Sequence, residues 1–225
     1  MKILIATPMH NAECSGLYTR SLLDTVVYLK SKGYDVAYET VMHDALLCRS
    51  RNTLVHLFLK TNFDYILFID ADMSFSSLDI EKMIESDVDV IAGAFPKKTI
   101  TEEYGLSLNN LKMFGNLVEC DYVGTGIILI KREVFVKLQD YSEKYINVDN
   151  NFSWMGIGEY VSNFFNTAVV DNQYLPESYL FCKKWRDVGG KIYIYPDMNI
   201  GHVGNFLFSG NFSKSDQYKS IDYMV

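Results

Sequence analysis

Three features of the sequence predict an α/β fold with a mostly parallel sheet flanked by helices. Tyr65-Ile66-Leu67-Phe68-Ile69 is a short, wholly apolar run, as expected of a strand covered on both faces. Short apolar runs alternate with segments of helical period over the first hundred or so positions, the pattern of a doubly wound sheet with right-handed crossovers. Finally, 225 residues with 48% hydrophobic content supply a continuous core.

Ile3 to Ala6 is expected as the first strand, left by Thr7-Pro8-Met9-His10-Asn11 as a loop at the carboxyl edge, where open α/β sheets bind ligands. Ser15 caps a helix from Gly16 to Ser31, which carries the stripe Leu17, Leu22, Leu23, Val26, Val27 and Leu29 and stops at Gly33. A strand from Tyr34 to Val41 follows, then a helix from Leu47 to Leu59 with Arg49, Arg51 and Asn52 near its start. Arginines there oppose the helix dipole, which suggests an anion nearby; a solvated face is the alternative.

After Tyr65–Ile69 come a helix from Leu78 to Glu85 and a buried strand from Val88 to Phe95, ending in Pro96-Lys97-Lys98. Positions 99–119 read as a hairpin or loop excursion with turns at Asn109-Asn110 and Gly115-Asn116. Tyr122 to Ile130 reads as a strand broken by Gly124 and Gly126, glycines that admit a ligand or mark a bulge. Arg132 to Leu138 is a short helix. Tyr141 to Tyr174 is aromatic and Asn-rich without period, as in lids and acceptor loops. Pro176 opens a helix that ends at Gly189-Gly190; a final strand, Lys191 to Tyr195, leads into a loop from Pro196 to Gly204. Without a repeat or linker, residues 1–225 form one domain.

The chemistry centres on Asp70-Ala71-Asp72, directly after the apolar run. In extended backbone, residues two apart face one side, so both carboxylates can converge on one spot. Two hard oxygen donors suit Mg²⁺ or Mn²⁺, and such an ion suits a diphosphate. The competing reading is an acidic cap on the helix that follows.

Composition narrows the partners. A net charge of −7 disfavours wrapping a nucleic-acid backbone but leaves room for a local nucleotide pocket. No segment approaches the roughly eighteen uninterrupted apolar residues of a membrane helix. Cys14, Cys48, Cys120 and Cys182 are widely spaced with no C-x-x-C pair, which fits packing thiols in a reducing, cytoplasmic compartment.

Several stretches, taken together and in order, resemble a nucleotide-sugar-dependent glycosyltransferase of the GT-A fold. They are Arg51-Asn52 with Asp70-Ala71-Asp72, Gly93 to Lys98 with Val123-Gly124-Thr125-Gly126, and Pro176 to Cys182 followed by Gly189-Gly190 and His202-Val203-Gly204. The resemblance spans about residues 1–204. It implies a nucleotide-binding part over about 1–98 and a smaller antiparallel acceptor-side part over about 99–225.

It also implies roles. Asp72 would ligate Mn²⁺ or Mg²⁺, Asp70 would touch the ribose or reach the metal through water, and His202 would add a ligand. Thr7, Pro8 and Arg51 would contact the base and phosphates of a UDP-sugar or similar donor, with Arg49 and Lys97 or Lys98 as weaker candidates. Glu177 would deprotonate a hydroxyl of a glycan or other acceptor in an inverting reaction. Here the chain departs from the family, which places Asp where Ser178 stands. Either Glu177 takes the role, another acid such as Asp149, Glu159 or Asp171 does, or the stereochemistry differs; a dipole-favoured helix acid is the alternative for Glu177. Two other functions compete. A sugar nucleotidyltransferase shares a similar nucleotide-binding half, but the loop 7–11 lacks its glycine-rich basic phosphate loop. A non-catalytic sugar-binding protein fits Ser178.

Overall fold

The computed structural model describes residues 1–101, 103–107, 109–147 and 159–221. In chain order the elements begin with β1 (Lys2–Met9), α1 (Gly16–Ser31), β2 (Asp35–Met42), α2 (Leu47–Leu59), β3 (Tyr65–Ile69), β4 (Met73–Ser74), α3 (Ser77–Glu85) and β5 (Val90–Gly93). Next come β6 (Lys112–Phe114), β7 (Leu117–Cys120), β8 (Ile127–Lys131), α4 (Arg132–Leu138), β9 (Lys144–Ile146), β10 (Tyr160–Ser162), β11 (Ala168–Val170) and β12 (Gln173–Leu175). The chain closes with α5 (Glu177–Asp187), β13 (Ile192–Tyr195), β14 (Ile200–Val203), β15 (Leu207–Gly210) and α6 (Asp216–Lys219).

Eight strands form the central sheet in the order β2-β1-β3-β8-β5-β13-β7-β6. β1 pairs in parallel with β2 and β3, and β13 with β5, while β8 and β7 run against the rest. The sheet is therefore mixed and mostly parallel, flanked by helices, as the alternating pattern predicts. All five residues of β3 are buried, because each face of the sheet carries its own core. Ile66 and Phe68 point toward Phe58 of α2, Phe135 of α4 and Phe181 of α5. Tyr65, Leu67 and Ile69 point toward Leu29 of α1 and Ile80 and Met83 of α3. This period of two is what makes an all-apolar strand read correctly as central.

Local chemistry explains the helix ends. Ser15 Oγ accepts the Tyr18 N–H at 3.0 Å and caps α1; Ser76 Oγ accepts the Leu78 N–H at 3.3 Å and caps α3. The second cap removes the reading of Asp72 as a helix-capping acid. The expected excursion over 99–119 contains the β6–β7 hairpin, turning at Gly115 with φ +60°. Pro176 lies just before α5 rather than within it.

Three expectations about loops and glycines change. Thr7 and Pro8 belong to β1, whose pairing with β2 continues to Met9↔Met42, so the loop begins at His10. Pro8 lies past the last β1–β3 partners, Ala6↔Phe68, where one flank of the strand is open and a missing N–H is tolerated. The segment 196–204 is not all loop: β14 pairs antiparallel with both β15 and β4. Gly124 and Gly126 make room for a ring of the chain itself, since a Cβ there would lie 2.6 Å and 2.9 Å from Phe95 carbons. Among the described residues, no helix is long and apolar enough to cross a membrane, and all four cysteines are free.

Candidate functional site

β3 delivers Asp70 to the carboxyl end of the sheet, where the chain turns sharply instead of continuing extended. The Met73 N–H bonds back to the Asp70 carbonyl at 3.1 Å, and the Asp70 N–H bonds to the Gly126 carbonyl at 2.9 Å. Asp70 and Asp72 still line one cleft of about 460 Å³, so the two acids share a site through a turn rather than through strand alternation. Opposite them lie Pro8, His10 and Asn11 at the end of β1, and Asp44, Leu47 and Ser50 around the start of α2.

The turn also starts β4, and that short strand brings in the far end of the chain. His202 is the register partner of Met73, and the Val203 N–H bonds to the Asp72 carbonyl at 2.8 Å. His202 Nε2 consequently sits 3.4 Å from Asp72 Oδ2. Its Nδ1 lies 2.9 Å from the Pro96 carbonyl oxygen. A carbonyl only accepts, so Nδ1 carries a proton and Nε2 is left to face the carboxylate. The Phe95 ring meets the imidazole edge to face, with centroids 5.5 Å apart, and fixes its plane.

Lys98 completes the group: its Nζ lies 2.5 Å from Asp72 Oδ2. Burial on its own would raise the Asp72 carboxyl, but His202, when its ring is doubly protonated and Nε2 can donate, and the Lys98 ammonium outweigh it and lower the group to about 2. Asp72 is thus ionised and turned toward positive charge.

Arg51 is turned inward. The side chain is wholly out of solvent, Nη2 donates to Asp70 Oδ1 at 2.7 Å, and the guanidinium carbon lies 5.3 Å from the centre of the Phe68 ring. In this structure its partner is Asp70. Arg49 pairs in a two-pronged contact with Asp44, at 2.9 and 2.8 Å. The anions that offset the arginines at the start of α2 are therefore the chain's own carboxylates. Asp44 escaped the sequence reading, although an acid three residues before a helix and five before an arginine is a signal of this pairing.

Thr7 is buried with Oγ1 2.5 Å from the Tyr18 hydroxyl, so it backs the cleft, while Pro8 lines it. Lys97 turns away to Glu103, with Nζ 3.3 Å from the carboxylate. Glu177 occupies the first turn of α5, half-buried, and is not among the residues that line the cleft. Burial first, and then the Glu177 carboxylate, push the Cys48 thiol up. Glu159 lies at the other end of α2, paired with Lys60 and with His56 at 2.9 Å. Asp171 forms the β11–β12 turn with φ +51°. Asp149 lies outside the described residues.

Among the described residues no cluster of three or more carboxylate, thiol or imidazole groups is set to hold a metal ion, and this cleft offers a cation two protein donors, Asp72 Oδ2 and His202 Nε2. A carboxylate oxygen and an imidazole nitrogen whose opposite ring atom is anchored to a backbone carbonyl form a recurrent donor pair, and Lys98 already places positive charge on that oxygen.

No family model and no curated protein matches the chain. Among solved structures, the fold is similar to that of A197 from STIV, at 17% identity over 96% of this chain and 92% of that one, with a TM-score of 0.58. It is also similar to GalNAc-T7 with UDP, GalNAc and Mn²⁺, at 12% identity over 90% of this chain and 43% of that one, TM-score 0.51. A Drosophila beta-1,4-galactosyltransferase 7 mutant in complex with manganese, UDP-Gal and xylobiose gives 14% identity over 97% of this chain and 73% of that one, TM-score 0.50. At these identities the likeness is one of fold, an α/β architecture shared with GT-A-type glycosyltransferases.

Proposed function

We propose that the chain is a metal-dependent glycosyltransferase that moves a sugar from a nucleotide-sugar, a UDP-sugar in the first instance, to a hydroxyl of a glycan or other acceptor. The observation that carries this reading is the meeting of Asp72 Oδ2, His202 Nε2 and Lys98 Nζ beside Asp70 at the carboxyl end of β3. Open α/β sheets bind nucleotides at that edge.

In this reading Asp72 and His202 hold Mn²⁺ or Mg²⁺, which when bound neutralises charge on the departing diphosphate. Asp70, steadied by Arg51, presents its second carboxylate oxygen to the ribose or to a water of the ion. Pro8 flanks the base with Thr7 behind it, and Lys98 reaches the diphosphate. Glu177 takes the proton from the acceptor hydroxyl as its oxygen bonds to the anomeric carbon and the bond from that carbon to the diphosphate oxygen breaks. Attack from the face opposite the leaving group inverts the anomeric centre. Residues 1–98 supply the nucleotide side and 99–225 the acceptor side of one domain.

A panel of nucleotide-sugars tested for thermal stabilisation with and without Mn²⁺ identifies the donor, because a ligand bound only to the folded chain raises its melting temperature. Metal-dependent release of UDP from the stabilising donor is expected. Release of pyrophosphate from a nucleoside triphosphate and a sugar phosphate would overturn the reading in favour of a nucleotidyltransferase. Glu177→Gln is expected to stop transfer while leaving donor binding intact.

A further inference from the structure

Lys98 does more at this site than contribute a positive charge to its rim. Its Nζ sits on Asp72 Oδ2 at 2.5 Å, and that same oxygen faces His202 Nε2 at 3.4 Å. A divalent ion held by Asp72 and His202 would draw on this oxygen, so the ammonium and the ion would compete for it. The two cations repel strongly at such separations, and one must yield.

The arrangement is built into the fold. Pro96, two residues earlier, supplies the carbonyl that orients His202. On the other side the aliphatic stem of Lys98 lies along Gly204, where a Cβ would stand 3.1 Å from the lysine Cδ and 3.6 Å from Cε. A side chain at 204 would crowd the route that Lys98 takes to Asp72. The neighbouring Lys97 is held elsewhere, by Glu103. Lys98 and Asp72 are each 37% exposed, so the ammonium is free to swing out to a new anion without unfolding the site.

We propose that Lys98 is the resident counter-cation of Asp72, exchanged for a divalent ion only when a nucleoside diphosphate arrives to take the ammonium, so that metal and diphosphate bind with positive coupling set by this lysine. The inference rests on the metal reading of Asp72 and His202. Without nucleotide, metal affinity is lowered by the fraction of molecules in which Lys98 occupies Asp72. A diphosphate offers the ammonium a stronger, charge-assisted partner and clears the carboxylate. By linkage, metal must then raise diphosphate affinity by the same factor that diphosphate raises metal affinity.

The test is Mn²⁺ binding, read from the electron paramagnetic resonance signal of the free ion, for wild type and Lys98→Met with and without UDP. Methionine keeps a stem along Gly204 and removes the charge; Lys98→Gln is a second variant, and thermal melts verify that both are folded. The expected result is about tenfold tighter Mn²⁺ binding by nucleotide-free Lys98→Met than by wild type. The enhancement of Mn²⁺ affinity by UDP should shrink in the variant by a similar factor. Unchanged or weaker Mn²⁺ binding in both nucleotide-free variants would overturn the proposal while leaving the metal site standing. Absence of Mn²⁺ binding in every protein, with UDP present, would instead remove the metal reading and the proposal together.

Discussion

Arg51 Nη2 donates to Asp70 Oδ1 at 2.7 Å from a guanidinium wholly out of solvent, while Nε and Nη1 have no hydrogen-bond partner among the described residues. Asp70 is therefore the counter-ion on which a buried charge depends. Removing one member of such a pair costs about 3 kcal/mol or more, whereas replacing both by apolar groups is often neutral. Asp70→Asn is expected to lower unfolding free energy by that amount in urea titrations. Asp70→Asn combined with Arg51→Met should recover much of the loss. A double variant as unstable as the sum of the single ones would contradict the coupling.

The bond between His202 Nδ1 and the Pro96 carbonyl fixes the imidazole tautomer. The neutral ring is expected to carry its proton on Nδ1, readable in long-range proton–nitrogen correlation spectra of selectively labelled protein. His202→Ala should weaken Mn²⁺ binding by at least tenfold. A neutral ring protonated on Nε2 would show that the nitrogen facing Asp72 is unavailable to a cation.

Burial pushes the Cys182 thiol up to about 12 and holds Cys120 well above the ordinary range, while Cys14 is exposed. Iodoacetamide at pH 8 is expected to label Cys14 in the native chain, and Cys120 and Cys182 only after unfolding. The native state keeps thiol protons that the unfolded chain releases above 9.0, so stability should fall as pH rises from there toward about 12. Urea midpoints that stay level over that range would count against a dry environment for these thiols.

Glu177 can be located through the same chemistry. Its carboxylate helps burial raise the Cys48 thiol, so Glu177→Gln should lower that pKa and speed alkylation of Cys48 at fixed pH in a Cys14→Ser background. An unchanged rate would place Glu177 away from α2.

The fold was legible where period and punctuation agreed. The bounds of α1, α2, β3 and α4 follow from apolar spacing, from Ser15, and from acids and glycines at the ends. The resemblance implied that Asp72 and His202 meet, but the spacing of the residues did not show how they do so. Their contact depends on β4, two residues long, pairing with β14, and neither segment is long enough to show a period. The same limit hid the Pro96 carbonyl, a backbone group that any residue could supply. The contact of Arg51 with Asp70 was not legible, because the burial that aims the guanidinium is set by packing on Phe68 and not by spacing in the sequence.

In the proposed function Asp72 holds a divalent ion on which nucleotide binding depends. The most direct measurement is calorimetric titration of UDP into wild type and Asp72→Asn, each with Mn²⁺ and with EDTA. Wild type is expected to bind UDP only with Mn²⁺, and Asp72→Asn to lose that binding while keeping its fold, because Asp72 is partly exposed. Equal UDP affinity in the two proteins, or binding by wild type that EDTA leaves untouched, would contradict that role for Asp72.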